Sequence, residues 1–219
     1  MSVKAYLGNP PANIISWIKN HSQPAATPSP YFTYDSNRVI TGLYQGEPNI
    51  QGEGGWTYGG SDVVENYATA IGDYAFNDVN YADGIPPTKA ITGNITFQNI
   101  TSIGEVAFNY CVGLTNIMMP NVTSISTGGF ANCESLTNVT MPNVTNIGEF
   151  AFDGCSGLTS VTIGSDIQEI SSGAFNTNGS LITLTIGKTV AEIQEMGYSE
   201  WGLPSGSTIV CTDGNITIE

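Results

Sequence analysis

The sequence predicts a β-rich solenoid with a parallel sheet, and three observations predict it. Apolar residues recur in one frame every 22 or 23 residues. Each period holds a short alternation of apolar and polar residues, the signature of a half-buried strand. Charged residues are only 11 % against 40 % hydrophobic ones, and Thr, Asn, Ser and Gly fill the balance. That mix suits a rigid, turn-rich β protein better than a charged cytosolic enzyme.

The frame is set by Ile103-Gly104, Ala107-Phe108, Cys111, Leu114, Ile117, Met119 and Val122. It returns as Ile125, Phe130, Cys133, Leu136, Val139, Met141 and Val144. A third copy runs through Ile147-Gly148, Ala151-Phe152, Cys155, Leu158, Val161, Ile163 and Ile167. A fourth comprises Ile170, Ala174-Phe175, Leu181, Leu184, Ile186 and Val190. An earlier imperfect copy, Ile71-Gly72 and Ala75-Phe76 to Ile95, Phe97 and Ile100, carries an insertion of about ten residues around Asn80 to Lys89. The count is about four and a half coils. A coil of this kind cannot bury its own apolar face, so neighbours must stack. Stacking predicts a phenylalanine spine of Phe76, Phe108, Phe130, Phe152 and Phe175.

The signature Ile-Gly-x-x-Ala-Phe-x-x-Cys-x-x-Leu-x-x-Ile resembles the BspA-like leucine-rich repeats over about residues 63–195. One departure is visible: the usual Asn/Cys ladder position after the strand is taken by Val122, Val144, Ile167 and Val190. The resemblance implies buried structural thiols at Cys111, Cys133 and Cys155, and a role in adhesion and partner binding.

Around the solenoid of residues 63–195 the sequence suggests four smaller parts. Residues 1–22 read as a strand and helix anchor, with Ile14, Trp17 and Ile18 on an apolar helix face. Residues 23–30 are a Pro-rich linker. Residues 31–62 form an N-terminal β cap. Residues 196–219 form a C-terminal β cap, whose Asp213-Gly214 between two apolar runs signals a hairpin. The anchor is too small to fold alone. Eight of the ten tyrosines precede residue 82, joined by Trp17 and Trp56, and such aromatics favour interfaces. The expected assembly surface is therefore Ile14, Trp17, Ile18, Tyr31, Tyr34 and Trp56.

No catalytic, cofactor or metal site is expected. The single His21 borders the linker, and nothing in the sequence suggests a scaffold that would place it against a nucleophile. Cys111, Cys133 and Cys155 share one column, and a straight row cannot wrap a metal tetrahedrally. Glu105 and Glu149 lie two coils apart, about 9–10 Å by strand spacing, near the upper end of an inverting glycosidase pair. Their convex flank offers no cleft. The net charge of −14, with five bases in the chain, opposes nucleic acid and anionic membrane surfaces. Met1 to Leu7 is too short and polar for a secretory leader, and no run approaches 18 apolar residues, so synthesis in a cytoplasm without a signal peptide is expected, with the protein then in a virion or otherwise on a bacterial cell surface. The Asn-x-Ser/Thr triplets then follow from the repeat and are not glycan sites.

Two surfaces remain for a ligand. One is the strand face, with outward columns Asn116, Asn138, Ser160, Thr183 and Met118, Thr140, Thr162, Thr185. It lacks aromatic platforms for sugars. The other is the insertion, with Tyr81, Asp83 and Lys89, which we favour because loops on rigid scaffolds carry recognition. The expected protein is a non-enzymatic phage virion component, in the tail, a fibre or a head decoration. It would dock on other virion proteins through its N-terminal region, within a homo-oligomer or larger assembly, and meet a host-surface glycan or protein. The alternative is a bacterial surface or intracellular protein-binding module. Deleting residues 1–30 should leave a folded solenoid that no longer joins its assembly, as read by circular dichroism and co-sedimentation; a truncated chain that still assembles would place the anchor elsewhere.

Overall fold

The computed structural model describes residues 32–43, 56–58, 63–65, 68–77, 89–91 and 93–219. The anchor with Ile14, Trp17 and Ile18, His21, the linker, Tyr31, and Tyr81 and Asp83 of the insertion lie outside the described residues. In chain order the elements are β1 (Phe32–Tyr34), β2 (Val39–Leu43), β3 (Trp56–Tyr58), β4 (Val63–Glu65), β5 (Ala70–Ile71), β6 (Lys89–Ile91), β7 (Gly93–Phe97), β8 (Ser102–Ile103) and β9 (Leu114–Met118). There follow β10 (Ser124–Ile125), β11 (Asn138–Met141), β12 (Asn146–Ile147), β13 (Ser160–Ile163), β14 (Glu169–Ile170), β15 (Thr183–Ile186), α1 (Val190–Glu195), a 3₁₀ turn (Tyr198–Trp201), β16 (Thr208–Val210) and β17 (Asn215–Thr217).

Each coil contributes one short and one long strand. The long strands form an eight-stranded sheet, in the order β17-β16-β15-β13-β11-β9-β7-β4. The short ones form a seven-stranded sheet, β1-β2-β5-β8-β10-β12-β14. Pairing is parallel, except that β1 on β2 and β17 on β16 are antiparallel. The register is that of the repeat: Ile117, Val139, Val161 and Leu184 lie side by side, as do Ile71, Ile103, Ile125 and Ile147. The ladders run past residues 63–195 at both ends. Ile40 pairs with Ile71, and Ile209 pairs with Leu184.

The core is the predicted spine. Phe108, Phe130, Phe152 and Phe175 are fully buried, with ring centroids 4.8, 5.3 and 5.6 Å apart along the row and interplanar angles of 7°, 4° and 5°. Phe76 extends it at 4.9 Å with its ring tilted by 31°. Offset rings at this spacing contribute beyond their area burial. Trp201, also buried, closes the C-terminal end, where its carbonyl accepts the Phe175 N–H.

The turn carrying each Phe is an arch with two left-handed residues. One column holds Tyr74, Val106, Gly128, Phe150 and Gly173; the other holds Tyr110, Asn132, Gly154 and Thr177. A bulky or β-branched side chain at positive φ is strained. Packing offsets this at Val106 and Phe150, because each leans over the glycine of the next coil, whereas Tyr74 is followed by Val106. A Cβ added at Gly128 would meet Val106 Cγ2 at 3.7 Å, and one at Gly173 would meet Phe150 Cε1 at 2.6 Å. Gly104 and Gly148 serve close approach instead: a Cβ there would fall 2.5 Å from Asp73 N and 2.8 Å from Thr127 N.

Helix α1 is not foreseen by the repeat pattern. Its signal is Thr189-x-x-Glu192, a capping box in which Thr189 Oγ1 accepts from the Glu192 N–H and the Glu192 carboxylate accepts from the Thr189 N–H. The Thr189 backbone N–H first, and then the Thr189 hydroxyl, which donates to the same carboxylate at 2.7 Å, lower the Glu192 carboxyl from its ordinary value. The helix replaces a short strand, and the C-terminal hairpin β16–β17 then completes the long-strand sheet.

Phe130 sits mid-spine, so Phe130→Ala should cost about 3–5 kcal/mol in denaturant unfolding. A loss under about 1 kcal/mol would show that the stack contributes little.

Candidate interaction surface

The long-strand sheet presents a flat outer face. Its side chains alternate, as in β11, where Val139 and Met141 are buried while Asn138 and Thr140 are exposed. The pairing register aligns Asn94, Asn116, Asn138, Ser160, Thr183 and Thr208 in one column. It aligns Thr96, Met118, Thr140, Thr162, Thr185 and Val210 in the next. Asn138, Thr140, Thr162 and Thr185 are thus brought together on one surface. Strands β7, β9, β11, β13, β15 and β16 contain no ionisable side chain, although the chain carries a net charge of −14.

Two threonine staircases flank this face and hold the coils in step. Thr101, Thr123 and Thr145 Oγ1 donate to the carbonyls of Thr69, Thr101 and Thr123, at 3.0, 3.1 and 2.9 Å. Thr137 and Thr159 Oγ1 donate to the carbonyls of Thr115 and Thr137, both at 3.1 Å. Each bond recurs in the next coil, which keeps the face straight.

The cysteines do more than fill space. Cys111, Cys133 and Cys155 Sγ donate to the carbonyls of Phe76, Phe108 and Phe130 at 3.4, 3.1 and 3.0 Å. In the last coil Asn178 takes the position, its Nδ2 donating to the Phe152 carbonyl at 2.8 Å. An Asn/Cys ladder therefore exists, but at the arch and not after the strand. The cost falls on Asn178, whose buried Oδ1 has no partner. None of the four cysteines is in a disulfide; the three in the ladder are buried and Cys211 is half-buried. Burial, then the hydrogen bond with Cys155, pushes the Cys133 thiol well above its ordinary value.

The remaining candidates fall elsewhere. Glu105 and Glu149 are exposed on the arch with Thr127 between them. Among the described residues no cluster of His, Cys, Asp and Glu could hold a metal. Tyr34 lies in β1, Trp56 in β3 and Lys89 in β6; β3 and β6 form a separate two-stranded sheet in which Trp56 is directly opposite Lys89. The sequence reading had put these two residues on different surfaces. It missed the ladder because sulfur donors are invisible to a hydropathy pattern.

Stacked coils, an outward strand face and an arch ladder define a leucine-rich-repeat solenoid. The sequence matches the BspA type leucine rich repeat region in six copies over residues 69–201, and the chain belongs to that family. Among solved structures it is similar to the pneumococcal vaccine antigen PcpA, with a TM-score of 0.53 and 19 % identity over 68 % of this chain and 36 % of that one. The chain thus spans about a third of PcpA. Similarity extends to a leucine-rich-repeat protein of T. pallidum, with a TM-score of 0.44 and 17 % identity over 82 % of this chain and 100 % of that one. It also extends to a leucine-rich cell surface protein of Faecalibacterium prausnitzii, with a TM-score of 0.37 and 19 % identity over 75 % and 55 %. No curated protein matches the sequence.

The ladder yields a pH prediction. A thiol whose folded pKa is raised contributes stability below its unfolded value, about 8.5, and loses it as pH climbs further. Unfolding midpoints should therefore fall above about pH 8.5, and less so for Cys133→Ser. Thiol titration in denaturant without reductant should count all four cysteines, and a count of two would reveal a disulfide.

Proposed function

We propose that the chain is a non-enzymatic adhesion module that holds its partner against the long-strand face. The observation that carries this is the face itself: six strands of in-register, uncharged, outward side chains on an otherwise acidic molecule. Rigid repeat scaffolds use such extended surfaces for binding. The arch carboxylates, Glu105 and Glu149, are exposed to solvent, which supports a binding role over hydrolysis. No helix among the described residues is long and apolar enough to cross a membrane.

In the finer reading the module is a phage virion component, docked through its N-terminal region with the solenoid outward. The concentration of tyrosines ahead of residue 82 supports docking at that end. The alternative is a bacterial surface or intracellular protein-binding module, and immunogold labelling of purified particles separates the two. The competing ligand surface is the insertion around Asn80 to Lys89. Two variants decide between the surfaces in a cell-envelope binding assay: Thr140→Lys with Thr162→Lys and Thr185→Lys, and a Gly-Ser turn in place of the insertion. The lysine variant should lose binding and the loop variant keep it; the reverse result would move the site to the insertion. Normal binding by both would remove the adhesion reading.

A further inference from the structure

The two outward columns of the long-strand face differ in one respect that narrows the ligand. In the first, the side chains from Asn94 to Ser160 are spent on one another, and only Thr183 and Thr208 at its end stand outside the network. Asn94 Oδ1 accepts from Asn116 Nδ2 at 2.7 Å and from Thr115 Oγ1 at 3.2 Å. Asn116 Oδ1 accepts from Thr137 Oγ1 at 3.1 Å, and Asn138 Oδ1 from Ser160 Oγ at 2.6 Å. A ligand would have to break this zipper to use it. In the second column the hydroxyls of Thr140, Thr162 and Thr185 make no hydrogen bond to any described residue. They lie in adjacent, in-register strands, and Met118, 54 % exposed, continues the row. Strands β11, β13 and β15 therefore each present one free hydroxyl, able to donate and to accept, with a methyl beside it, every 4.7–4.9 Å or so.

We propose that this column is a subsite for a neutral, polyhydroxylated polymer: an extended, uncharged glycan chain laid along the stacking axis, across the strands. The proposal rests on the long-strand face being the binding surface and adds the chemistry of what it binds. Charge argues first. A molecule of net charge −14 repels polyanions, and a charged peptide would bury its charges against a face with nothing to pair them. Hydrogen bonding argues second. Glycan hydroxyls both donate and accept, as the threonine hydroxyls do, while sugar C–H surfaces can rest on the threonine methyls and on Met118 in place of an aromatic platform. Shape argues third. An open face without a pocket grips each monomer weakly, so repetition along several coils must supply the affinity, and long chains should bind where short oligomers do not.

The test is affinity electrophoresis of the whole chain in gels containing hydroxyethyl cellulose, galactomannan or arabinoxylan, with polyanionic alginate alongside. Two triple variants are compared, valine at Thr140, Thr162 and Thr185 (hydroxyl removed, shape kept) and serine at the same positions (hydroxyl kept), with thermal midpoints reporting folding. The wild type and the serine variant should be retarded by at least one neutral glycan and not by alginate, and the valine variant should bind roughly tenfold more weakly. Equal retardation of the valine variant would overturn the proposal. So would the absence of retardation in every neutral gel. If in that case the lysine variant still loses envelope binding, the face binds a protein and the adhesion reading survives; if it does not, both readings fall together.

Discussion

Everything in this molecule follows from one constraint: in a parallel, in-register solenoid, each residue stacks on its own copy in the next coil. A column must be made of side chains that tolerate themselves about 4.8 Å away. Phenylalanine satisfies it by near-parallel ring stacking, from Phe108 to Phe175. Threonine satisfies it by donating to the carbonyl below, as Thr123 does to Thr101. Asparagine satisfies it by an amide zipper, as between Asn132 and Asn109. Charged residues do not, because like charges directly opposite repel. The scarcity of charge in the composition is thus a consequence of the architecture. Strands β7, β9, β11, β13, β15 and β16 carry no carboxylate, which leaves the face they form neutral.

The same constraint explains which parts of the fold were legible in the sequence. Buried columns announce themselves, because Phe, Ile, Val and Leu recur at fixed spacing; the spine and the register of Ile117, Val139 and Val161 could be read directly. The outward columns were legible too, since strand alternation assigns Asn138 and Thr140 to the face opposite Val139. What the pattern could not show were interactions carried by chemistry rather than hydropathy. The cysteines read as small apolar fillers, whereas their hydrogens point at the Phe carbonyls. The Asn178 substitution breaks the cysteine column in sequence yet keeps the donor in place.

The ends were harder to read for a related reason. Where the repeat decays, no self-similarity guides the eye, and local signals take over. The Thr189-x-x-Glu192 box is such a signal, and it starts a helix where another short strand would fall. The Asp213-Gly214 turn is another, and the hairpin it suggested is present as β16 and β17. Trp56 and Lys89, distant in sequence, meet in a small sheet that no spacing rule predicts.

The antiparallel strands at the two ends have a consequence for growth. A parallel ladder has polarity, and a free parallel edge would accept another copy of the chain in the same sense, then another, as a filament. Here β1 reverses the short-strand sheet at one end and β17 reverses the long-strand sheet at the other. A copy translated along the axis would meet a reversed strand in each sheet, so the 22-residue register could not run unbroken from one molecule into the next.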